Sequence, residues 1–452
     1  MRPGFPVQRH GSAARDPSYR RSALRLGVAA LLMVLLPATT ATAFPGPPAP
    51  TVSGSERGTA GCGQLTPDSG WYGDNRARLD QLILRYSRCS PVQRPGEKAP
   101  VAVFDWDNTV VKNDVGDALL YWVLRHDKVL QPPSWPALSR WLTPAAARAL
   151  TDACGPVAPV GSPLPTGNPA APDCADEVYA VYHGTTRGGA VAFSGYDHRR
   201  FSAGSAWVSA LLTGHTAAQI TGYASRARAA ALTAPQGTTE RVGSHQVTAW
   251  VRYYPQQRNL IRVLQANGFA VWVVSASPEP DVRVWAAGAG VSPHRVIGIE
   301  SLYDTRGRQT ALLRGCGDVP DGMDSVLTYL EGKRCFVNQD IFGIRGSASF
   351  SQAPRSRRAV LAAGDSTTDV TFVGDAIGLR LAINRQSSEL MCTAYDDADG
   401  RWLINPMFIQ PLDRRPTPYP CSTTGRTESD GSAGPVLRDD GSVVPDQNDT
   451  VF

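Results

Sequence analysis

The sequence lacks the short motifs of several enzyme and metal-site classes. It contains no HExxH, no GxSxG and no CxxC, and its seven histidines show no metal-ligand spacing. These absences argue against zinc peptidases, nucleophile-elbow serine hydrolases and zinc or thiol-redox sites. Lysine is also scarce, with four among 45 basic residues. A lysine is therefore informative wherever an arginine would have served as well.

Long apolar runs are missing too. The longest, LGVAALLMVLLPA, has about 13 residues, fewer than the roughly 20 that a membrane-spanning helix needs. It follows Arg20-Arg21 and precedes Ala41-Thr42-Ala43, the pattern of a secretory signal peptide over residues 1 to 43. A membrane anchor is the alternative, and the arginine pair leaves the export route open. We expect cleavage near Ala43 and an exported chain with no stable membrane anchor.

The chain also has little net charge once that segment is set aside. Residues 1 to 43 carry six arginines and one aspartate, which leaves 39 basic and 39 acidic residues. This balance gives no support for nucleic-acid binding. All eight cysteines follow the cleavage site, and an even number in an exported chain predicts disulfides. Nearest-neighbour pairing would join Cys62–Cys89, Cys154–Cys174, Cys316–Cys335 and Cys392–Cys421, although the sequence alone does not fix the connectivity.

Length and composition predict a folded globular chain. With 452 residues and 42% hydrophobic content, we expect one core with a large insertion, or two domains. Residues 44 to 98 are interpreted as an N-terminal arm with an amphipathic helix near Asp74 to Tyr86. Residues 422 to 452 are rich in Ser, Gly and Asp, and we predict that they are disordered.

Short apolar runs mark the expected strands. Such runs without alternation are typical of strands that are buried on both faces, and a helix-like segment, DVRVWAAGAG, separates two of them. Strand, helix, strand alternation predicts an α/β fold, with a doubly wound parallel sheet formed by residues 99 to 118 and 255 to 421. The runs are VAVFDWD, FAVWVVSAS, RVIGIE, RAVLAAGDS and LRLAIN.

An inserted segment, residues 119 to 254, separates the first strand from the rest. Its pattern is mostly helical, so we predict a helical cap domain. A Pro- and Gly-rich loop interrupts it between Cys154 and Cys174. We expect most of its aromatic residues to be core, while some of them face a ligand: Tyr121, Trp122, Trp135, Trp141, Trp207, Trp250, Tyr253 and Tyr254.

Carboxylates follow two of the predicted strands. Asp105 and Asp107 end the first run, and Asp365 and Asp369 follow a later one in GDSTTD. Ligands of open parallel sheets collect at the carboxyl ends of the strands. Burying paired carboxylates there is costly unless a cation lies between them. Mg²⁺ prefers such hard oxygen ligands. A lone DxD is more often a solvated turn, but here acidic clusters recur at two strand ends.

Two more residues complete a predicted phosphate site. Ser275, in VVSAS, offers a hydroxyl to a phosphoryl oxygen, and Lys333, in EGKRC, offers a compact positive charge. The alternatives are a strand serine and an ordinary surface lysine. Together with the carboxylates, these residues predict a small-molecule phosphate monoester as the substrate.

These four segments, in this order, resemble the motifs of the haloacid dehalogenase (HAD) superfamily, in the branch of the phosphoserine phosphatases. They are DWDNT, VVSAS, Lys333 in EGK, and GDSTTD. The resemblance implies that Asp105 is the nucleophile and that Asp107 is the general acid and base. It also implies that Asp105, Asp365, Asp369 and the main chain of Asp107 serve Mg²⁺, and that Thr109, Ser275 and Lys333 hold the phosphoryl group.

Asp114, nine residues after the nucleophile, bears on the substrate. Phosphoserine phosphatases have an acidic residue at this offset that meets the substrate's ammonium group. The alternative is an N-cap for the helix DVGDALLYWVLRH, for which Asp is well suited. A signal peptide combined with DxDNT also resembles bacterial phosphorylcholine phosphatases. We therefore expect phosphocholine first and broader small-molecule or phosphoserine specificity second, with an inactive surface-binding protein as the non-enzyme alternative.

Overall fold

The secondary structure follows the apolar runs of the sequence closely. The computed structural model describes residues 63–67, 70–88 and 98–452. The strands are β1 (Val101–Phe104), β2 (Val111–Lys112), β3 (Thr239–Val242), β4 (His245–Thr248), β5 (Arg252–Tyr253), β6 (Ala270–Pro278), β7 (Val296–Ile299), β8 (Ser301–Tyr303), β9 (Gln309–Leu313), β10 (Leu361–Gly364), β11 (Leu379–Asn384), β12 (Trp402–Pro406), β13 (Arg426–Thr427) and β14 (Ala433–Gly434). The helices are α1 (Asn75–Tyr86), α2 (Val115–Arg125), α3 (Pro144–Cys154), α4 (Asp173–Tyr182), α5 (Ala203–Ala210), α6 (Ala217–Thr233), α7 (Pro255–Ala266), α8 (Glu279–Ala287), α9 (Glu331–Phe336), α10 (Val370–Gly374) and α11 (Ser388–Asp396).

Six of these strands form one parallel sheet in the order β12-β11-β10-β1-β6-β7. Five of them are the strands predicted from the sequence. The sixth, β12, pairs with β11 at the edge and was not predicted. The α/β class is confirmed, and β1 lies between β10 and β6, so three of the motif-bearing strands are neighbours.

Both faces of the sheet are covered. Along β1, Ala102 and Phe104 join one buried cluster with residues of α1, α7 and α8, whereas Val103 joins another with residues of α9, α10 and α11. Successive side chains of a strand point to opposite faces. The unbroken apolar character of VAVF thus reflects helices on both sides, as predicted.

The segment between β1 and β6 has its own apolar cluster. Side chains from α2, α3, α4, α5 and α6 meet there, together with Val242 and Val247 of the β3–β4 hairpin. Most of its aromatic residues are buried, as expected for core positions; Trp207 and Tyr254 are fully buried. The predicted boundaries of 119 and 254 stay a prediction. Helix α2 begins at Val115, and β5 pairs with β2, which follows β1 closely in the chain.

Three of the four nearest-neighbour disulfides are present: Cys154–Cys174, Cys316–Cys335 and Cys392–Cys421. Cys154–Cys174 closes the Pro- and Gly-rich loop at its neck, as expected. Cys316–Cys335 ties the preceding loop to α9, the short helix that carries Lys333. Both cysteines of the fourth predicted pair, Cys62 and Cys89, lie outside the described residues, as does the predicted signal peptide.

The prediction of a disordered tail is corrected by the structure. Residues 422 to 452 are described throughout, and Val436, Val444 and Asp449 are buried. Tight turns satisfy much of the polar backbone: the Asp430 and Asp440 carboxylates accept hydrogen bonds from the amides two residues on. A few well-placed valines therefore anchor a segment that its composition alone marks as disordered.

None of the helices in the described part of the chain is long and apolar enough to cross a bilayer.

Candidate active site

The carboxyl ends of three adjacent strands bring the first, second and fourth motifs together. Asp105 follows β1, Asp365 follows β10, and Ser275 lies near the end of β6. The Asp105 amide donates to the carbonyl of Ala363, which continues the pairing of β1 with β10 for one more residue. Asp105, Ser275 and Asp365 are all buried. Ser275 also accepts at its carbonyl oxygen from the Thr328 hydroxyl, 2.5 Å away.

Lys333 joins the same cluster from α9. Its Nζ donates to Asp105 Oδ1 at 2.6 Å and to Asp369 Oδ1 at 2.5 Å, and the residue is only 1% exposed. Burial lowers the pKa of Lys333, but the two carboxylates outweigh burial and raise it above the ordinary value. The lysine is therefore charged. The alternative of an ordinary surface lysine is excluded.

The GDxxxD spacing is explained by a tight turn. Asp369 Oδ2 accepts from the amides of Asp365 and Ser366, each at 3.0 Å. A Cβ on Gly364 would lie 2.4 Å from the Cβ of Asp369, so only glycine fits before Asp365. The turn directs Asp365 and Asp369 toward the same point.

The Thr109 side chain contacts Asp105, the candidate nucleophile. Its hydroxyl lies 2.9 Å from Asp105 Oδ2 and 3.2 Å from Asp365 Oδ1. The side chain predicted to hold phosphate thus contacts two carboxylates and links the first motif to the fourth. The observed contact orients Asp105, leaving the phosphate role of Thr109 as a prediction.

Asp107 points away from this carboxylate group. Its Oδ1 accepts from the Val115 amide at 2.7 Å, and its Oδ2 accepts from Ser277 at 2.8 Å and from Ser275 at 3.2 Å. Burial, followed by the charges of Asp114 and Asp105, raises the pKa of Asp107 well above its ordinary value. A raised pKa favours the protonated form that a general acid needs.

The sequence analysis did not predict a role for Ser277, although its spacing of two residues from Ser275 in SAS indicates that both face the same side of the strand. Residues two apart on a strand share a face, so Ser277 follows Ser275 toward Asp107. The observed contact of Ser275 is with Asp107, and phosphate binding by this hydroxyl stays a prediction.

The carboxylates of Asp105, Asp365 and Asp369 fit a divalent cation. One oxygen from each lies within 4.8 Å of the others, and all three residues are buried. Burial and the neighbouring Asp369 raise the pKa of Asp105, which shows the cost of crowding these charges. Hard oxygen donors at this spacing are the ligands that Mg²⁺ takes. The carboxylate of Asp107 is outside this group.

Arg385 is a member of the site that the sequence analysis missed. Its Nε donates to Asp365 Oδ2. It follows β11 directly, so it occupies the same edge of the sheet as Asp105 and Asp365. The signal was present, because LRLAIN was predicted as a parallel strand and the residue after it belongs to the ligand-binding edge.

Asp114 is the N-cap of α2, and its carboxylate accepts from the Asp117 amide at 3.0 Å. It also lines a cavity of about 250 Å³. Burial, followed by the charge of Asp117, raises the pKa of Asp114 to about 7. The N-cap alternative is confirmed, and the same side chain lines a cavity that is partly open to solvent. The cavity lining is Asn108, Asn113, Asp114, Asp117, Ala118, Thr248, Trp250, Val251 and Arg385.

A larger cavity, about 570 Å³, lies elsewhere, between α10, α11 and the C-terminal segment. It contains none of the predicted site residues. Its arginines are matched by carboxylates, as in Arg334–Asp375 and Arg438–Asp396. Since its charges are already compensated, size alone does not make it the better candidate.

Gly116 allows the close approach of α2 to Ser277, which gives a testable consequence. A Cβ there would lie 2.9 Å from Ser277 Oγ and 3.1 Å from Asp114 Oδ1. We expect Gly116→Ala to displace Ser277 from Asp107 and to lower kcat for p-nitrophenyl phosphate by about twofold to tenfold, the value of one hydrogen bond between uncharged groups. Thermal unfolding should change little, because alanine favours the helix.

Gly374→Ala is the matched control, since nothing lies within 4 Å of a Cβ at that helical glycine. An unchanged kcat in Gly116→Ala would show that the contact between Ser277 and Asp107 does not matter for turnover.

Comparisons with known proteins bear on the fold. No protein-family model matches the chain, and no curated protein matches it in sequence. The crystal structure of a conserved functionally unknown protein from Anaerococcus prevotii matches with a TM-score of 0.55 and 18% identity, over 76% of this chain and 94% of that one. The two proteins share a fold.

Phosphatases are also among the similar solved structures. A substrate-bound phosphoserine phosphatase matches with a TM-score of 0.29 and 12% identity, over 64% of this chain and 87% of its own. A HAD family hydrolase from Salmonella enterica serovar Typhi matches with a TM-score of 0.31 and 12% identity, over 63% of each chain. Matches with TM-scores this low carry no argument of their own. The six-stranded parallel sheet confirms the α/β core that the HAD resemblance implies.

Proposed function

We propose that this chain is a magnesium-dependent phosphomonoester hydrolase that forms a phosphoryl-aspartate on Asp105. The observation that carries the proposal is the environment of Asp105. The carboxylate is buried at a strand end, Lys333 and Thr109 fix its two oxygens, and Asp365 and Asp369 stand beside it. Lys333 opposes the burial that raises the pKa of Asp105, and the carboxylate is oriented and protected from bulk water, as suits a carboxylate nucleophile.

In the first step, one carboxylate oxygen of Asp105 attacks phosphorus while the bond from phosphorus to the alcohol oxygen breaks. Asp107, whose pKa is raised by burial, transfers its proton to the departing oxygen. Ser275 and Ser277 hold Asp107 in place. A free alcohol leaves, and the phosphoryl group stays on Asp105.

In the second step, the Asp107 carboxylate takes a proton from water, and the resulting hydroxide attacks the phosphorus. The bond from phosphorus to Asp105 breaks and inorganic phosphate is released. Asp107 ends the cycle protonated, as it began. Asp105, Asp365 and Asp369 would hold Mg²⁺, which supplies positive charge near the phosphoryl oxygens. The charge of Lys333 favours the ionised form of Asp105 before it attacks.

The proposed substrate is a small amino-alcohol phosphate such as phosphocholine. Asp114, Asp117 and Trp250 line the cavity of about 250 Å³. The Tyr182 hydroxyl fixes Asp117 at 2.5 Å. Two carboxylates beside an aromatic ring are suited to a quaternary ammonium group. Phosphoserine, or a broad range of small phosphates, is the alternative.

The test is hydrolysis by the purified chain of phosphocholine, phosphoethanolamine, phosphoserine and sugar phosphates, with Mg²⁺ and with EDTA. We expect metal-dependent release of phosphate, fastest from phosphocholine. An equal rate on all four would reject the amino-alcohol preference and keep the phosphatase. No release from any of them would leave the non-enzyme alternative, an inactive surface-binding protein.

The pKa of Asp114 gives a prediction for pH. A carboxyl with a pKa of about 7 is charged above that pH and neutral below it, so attraction for an ammonium group is lost as the pH falls. We expect KM for phosphocholine to rise by up to about tenfold between pH 8 and pH 6. The comparison is 3,3-dimethylbutyl phosphate, in which an uncharged tert-butyl group replaces the ammonium group. Its KM should not show this rise.

Asp114→Asn should remove the difference in pH dependence between the two substrates, since the amide does not titrate. If the wild-type ratio of the two KM values is flat over this range, Asp114 does not bind the ammonium group.

We also propose that the chain is exported and acts outside the cytoplasm. The three disulfides of the described residues support this location. Sequencing of the N-terminus of the secreted protein tests the predicted cleavage near Ala43.

A further inference from the structure

Among the described residues, the guanidinium of Arg385 makes a side-chain hydrogen bond at one of its edges only. Its Nε donates to Asp365, while its Nη1 and Nη2 have no protein acceptor within the part of the chain that the structure describes. The side chain is 44% exposed, and it lines the same cavity as Asp114. A planar fork with two free nitrogens is thus presented toward the candidate substrate space.

The backbone beneath Arg385 is fixed by the C-terminal segment. The side-chain amide of Asn384 donates to Asp449 Oδ1 at 2.8 Å and to the carbonyl of Val451 at 2.6 Å. Asn384 Oδ1 accepts from the Gln386 amide at 2.9 Å, and Asp449 is 2% exposed. Arg385 therefore extends from a clamped turn, so its direction is set by the fold.

Lys333, the cation predicted to bind phosphate, has no hydrogen left to donate. An ammonium carries three N–H groups, and its Nζ already contacts Asp105, Asp369 and the Thr368 hydroxyl. While these three contacts hold, a phosphoryl group that enters beside Asp105 gains no hydrogen bond from Lys333. Arg385 is close enough to Asp105 and Asp114 for their charges to raise its pKa, after the larger effect of Asp365.

We propose that Arg385 binds the phosphoryl oxygens of the substrate through Nη1 and Nη2 while its Nε stays on Asp365. This inference rests on the proposed phosphatase function. A guanidinium offers two parallel hydrogen bonds to phosphate, which an ammonium does not. The planar guanidinium of Arg385 would thereby link Asp365, one of the proposed metal ligands, to the phosphoryl group of the substrate.

Calorimetric titration of the full chain with inorganic phosphate, in the presence of Mg²⁺, tests the proposal without turnover. We expect Arg385→Gln to weaken phosphate binding by about tenfold to a hundredfold. Arg385→Lys should fall in between, since it keeps the charge and loses the fork. Arg401→Gln is the control, because Arg401 is a surface arginine with one long ion pair, 3.6 Å to Asp399. Unchanged phosphate affinity in Arg385→Gln overturns the proposal.

Two further measurements separate this role from others. Mn²⁺ affinity, followed by electron paramagnetic resonance, should change much less than phosphate affinity in Arg385→Gln; a parallel loss would show that Arg385 acts only through Asp365. If Arg385→Gln binds phosphate as tightly as the wild type but loses activity on phosphoserine and not on phosphoethanolamine, Arg385 binds the carboxylate of the substrate and the proposal is wrong. Wild-type protein that binds phosphate but hydrolyses no ester would reject the proposed function while the binding comparison still decides on Arg385.

Discussion

Asp105→Asn abolishes phosphatase activity in the mechanism proposed above, with an expected loss in kcat of about 10⁴-fold or more. The amide has nearly the size of the carboxylate and can still meet Lys333 and Thr109, which contact the two oxygens of Asp105. It lacks the charge and the nucleophilic lone pair that attack phosphorus. The measurement is p-nitrophenyl phosphate hydrolysis with saturating Mg²⁺.

The covalent intermediate gives a second readout. Acid quench of the wild-type enzyme during turnover, followed by peptide mass spectrometry, should find one phosphoryl group on the peptide that contains Asp105, and none in the variant. Asp399→Asn, at a surface ion pair with Arg380, is the control and should keep full activity. Phosphorylation at another residue, or activity within tenfold of the wild type in Asp105→Asn, would contradict the proposed nucleophile.

Lys333→Met should cause the largest loss of stability. Lys333 is 1% exposed and bridges Asp105 and Asp369 at 2.6 and 2.5 Å. Methionine fills a similar volume, but it leaves two buried carboxylates without their cation. Removing one partner of a buried ion pair costs about 3–5 kcal/mol. We expect a loss of that size in the free energy of unfolding, measured by urea denaturation at neutral pH without Mg²⁺, together with loss of hydrolysis.

The pH dependence of this loss has a definite sign. Without the lysine, the folded-state pKa of Asp105, which burial already raises, rises further above its unfolded value. Carboxyls with raised pKa values destabilise the folded state more as the pH increases. The deficit of Lys333→Met should therefore shrink on acidification, and the exposed Lys98→Met control should show no deficit.

A double variant separates lost charge balance from lost packing. Lys333→Met with Asp369→Asn removes one of the stranded charges, so it should recover part of the stability and none of the activity. The expected loss in the free energy of unfolding is about 3–5 kcal/mol. A loss of less than about 1 kcal/mol in Lys333→Met would show that the contacts of Lys333 with Asp105 and Asp369 do not stabilise the fold.

Much of the fold could be predicted from local pattern. VAVF and LAAG are apolar at every position, and LRLAIN at all but Arg380 and Asn384, because helices cover both faces of the sheet. The edge strand Trp402–Pro406 was not predicted. The tail was predicted wrongly, because the burial of Val436 and Val444 depends on partners distant in sequence that composition does not reveal.

Part of the site could be predicted from the positions of the strands. Asp105, Asp365 and Asp369 follow strands whose carboxyl ends meet, so their convergence follows from the order of the motifs. Ser277 and Arg385 were missed, although each holds one of the key carboxylates. Their roles depend on which oxygen of Asp107 or Asp365 points toward them, and that direction is set by packing.

The sequence by itself determined the α/β class, the strands that carry the motifs and the residues with the capacity for phosphate chemistry, because strand burial and residue type are local properties. Only the tertiary structure decided how the charges are shared. It placed Lys333 between two carboxylates, turned Asp107 toward the serines and gave the Nη edge of Arg385 no acceptor among the described residues. Those assignments depend on distances of a few ångströms between residues far apart in the chain, which only the folded packing of α9, β6 and the turn after β11 can set.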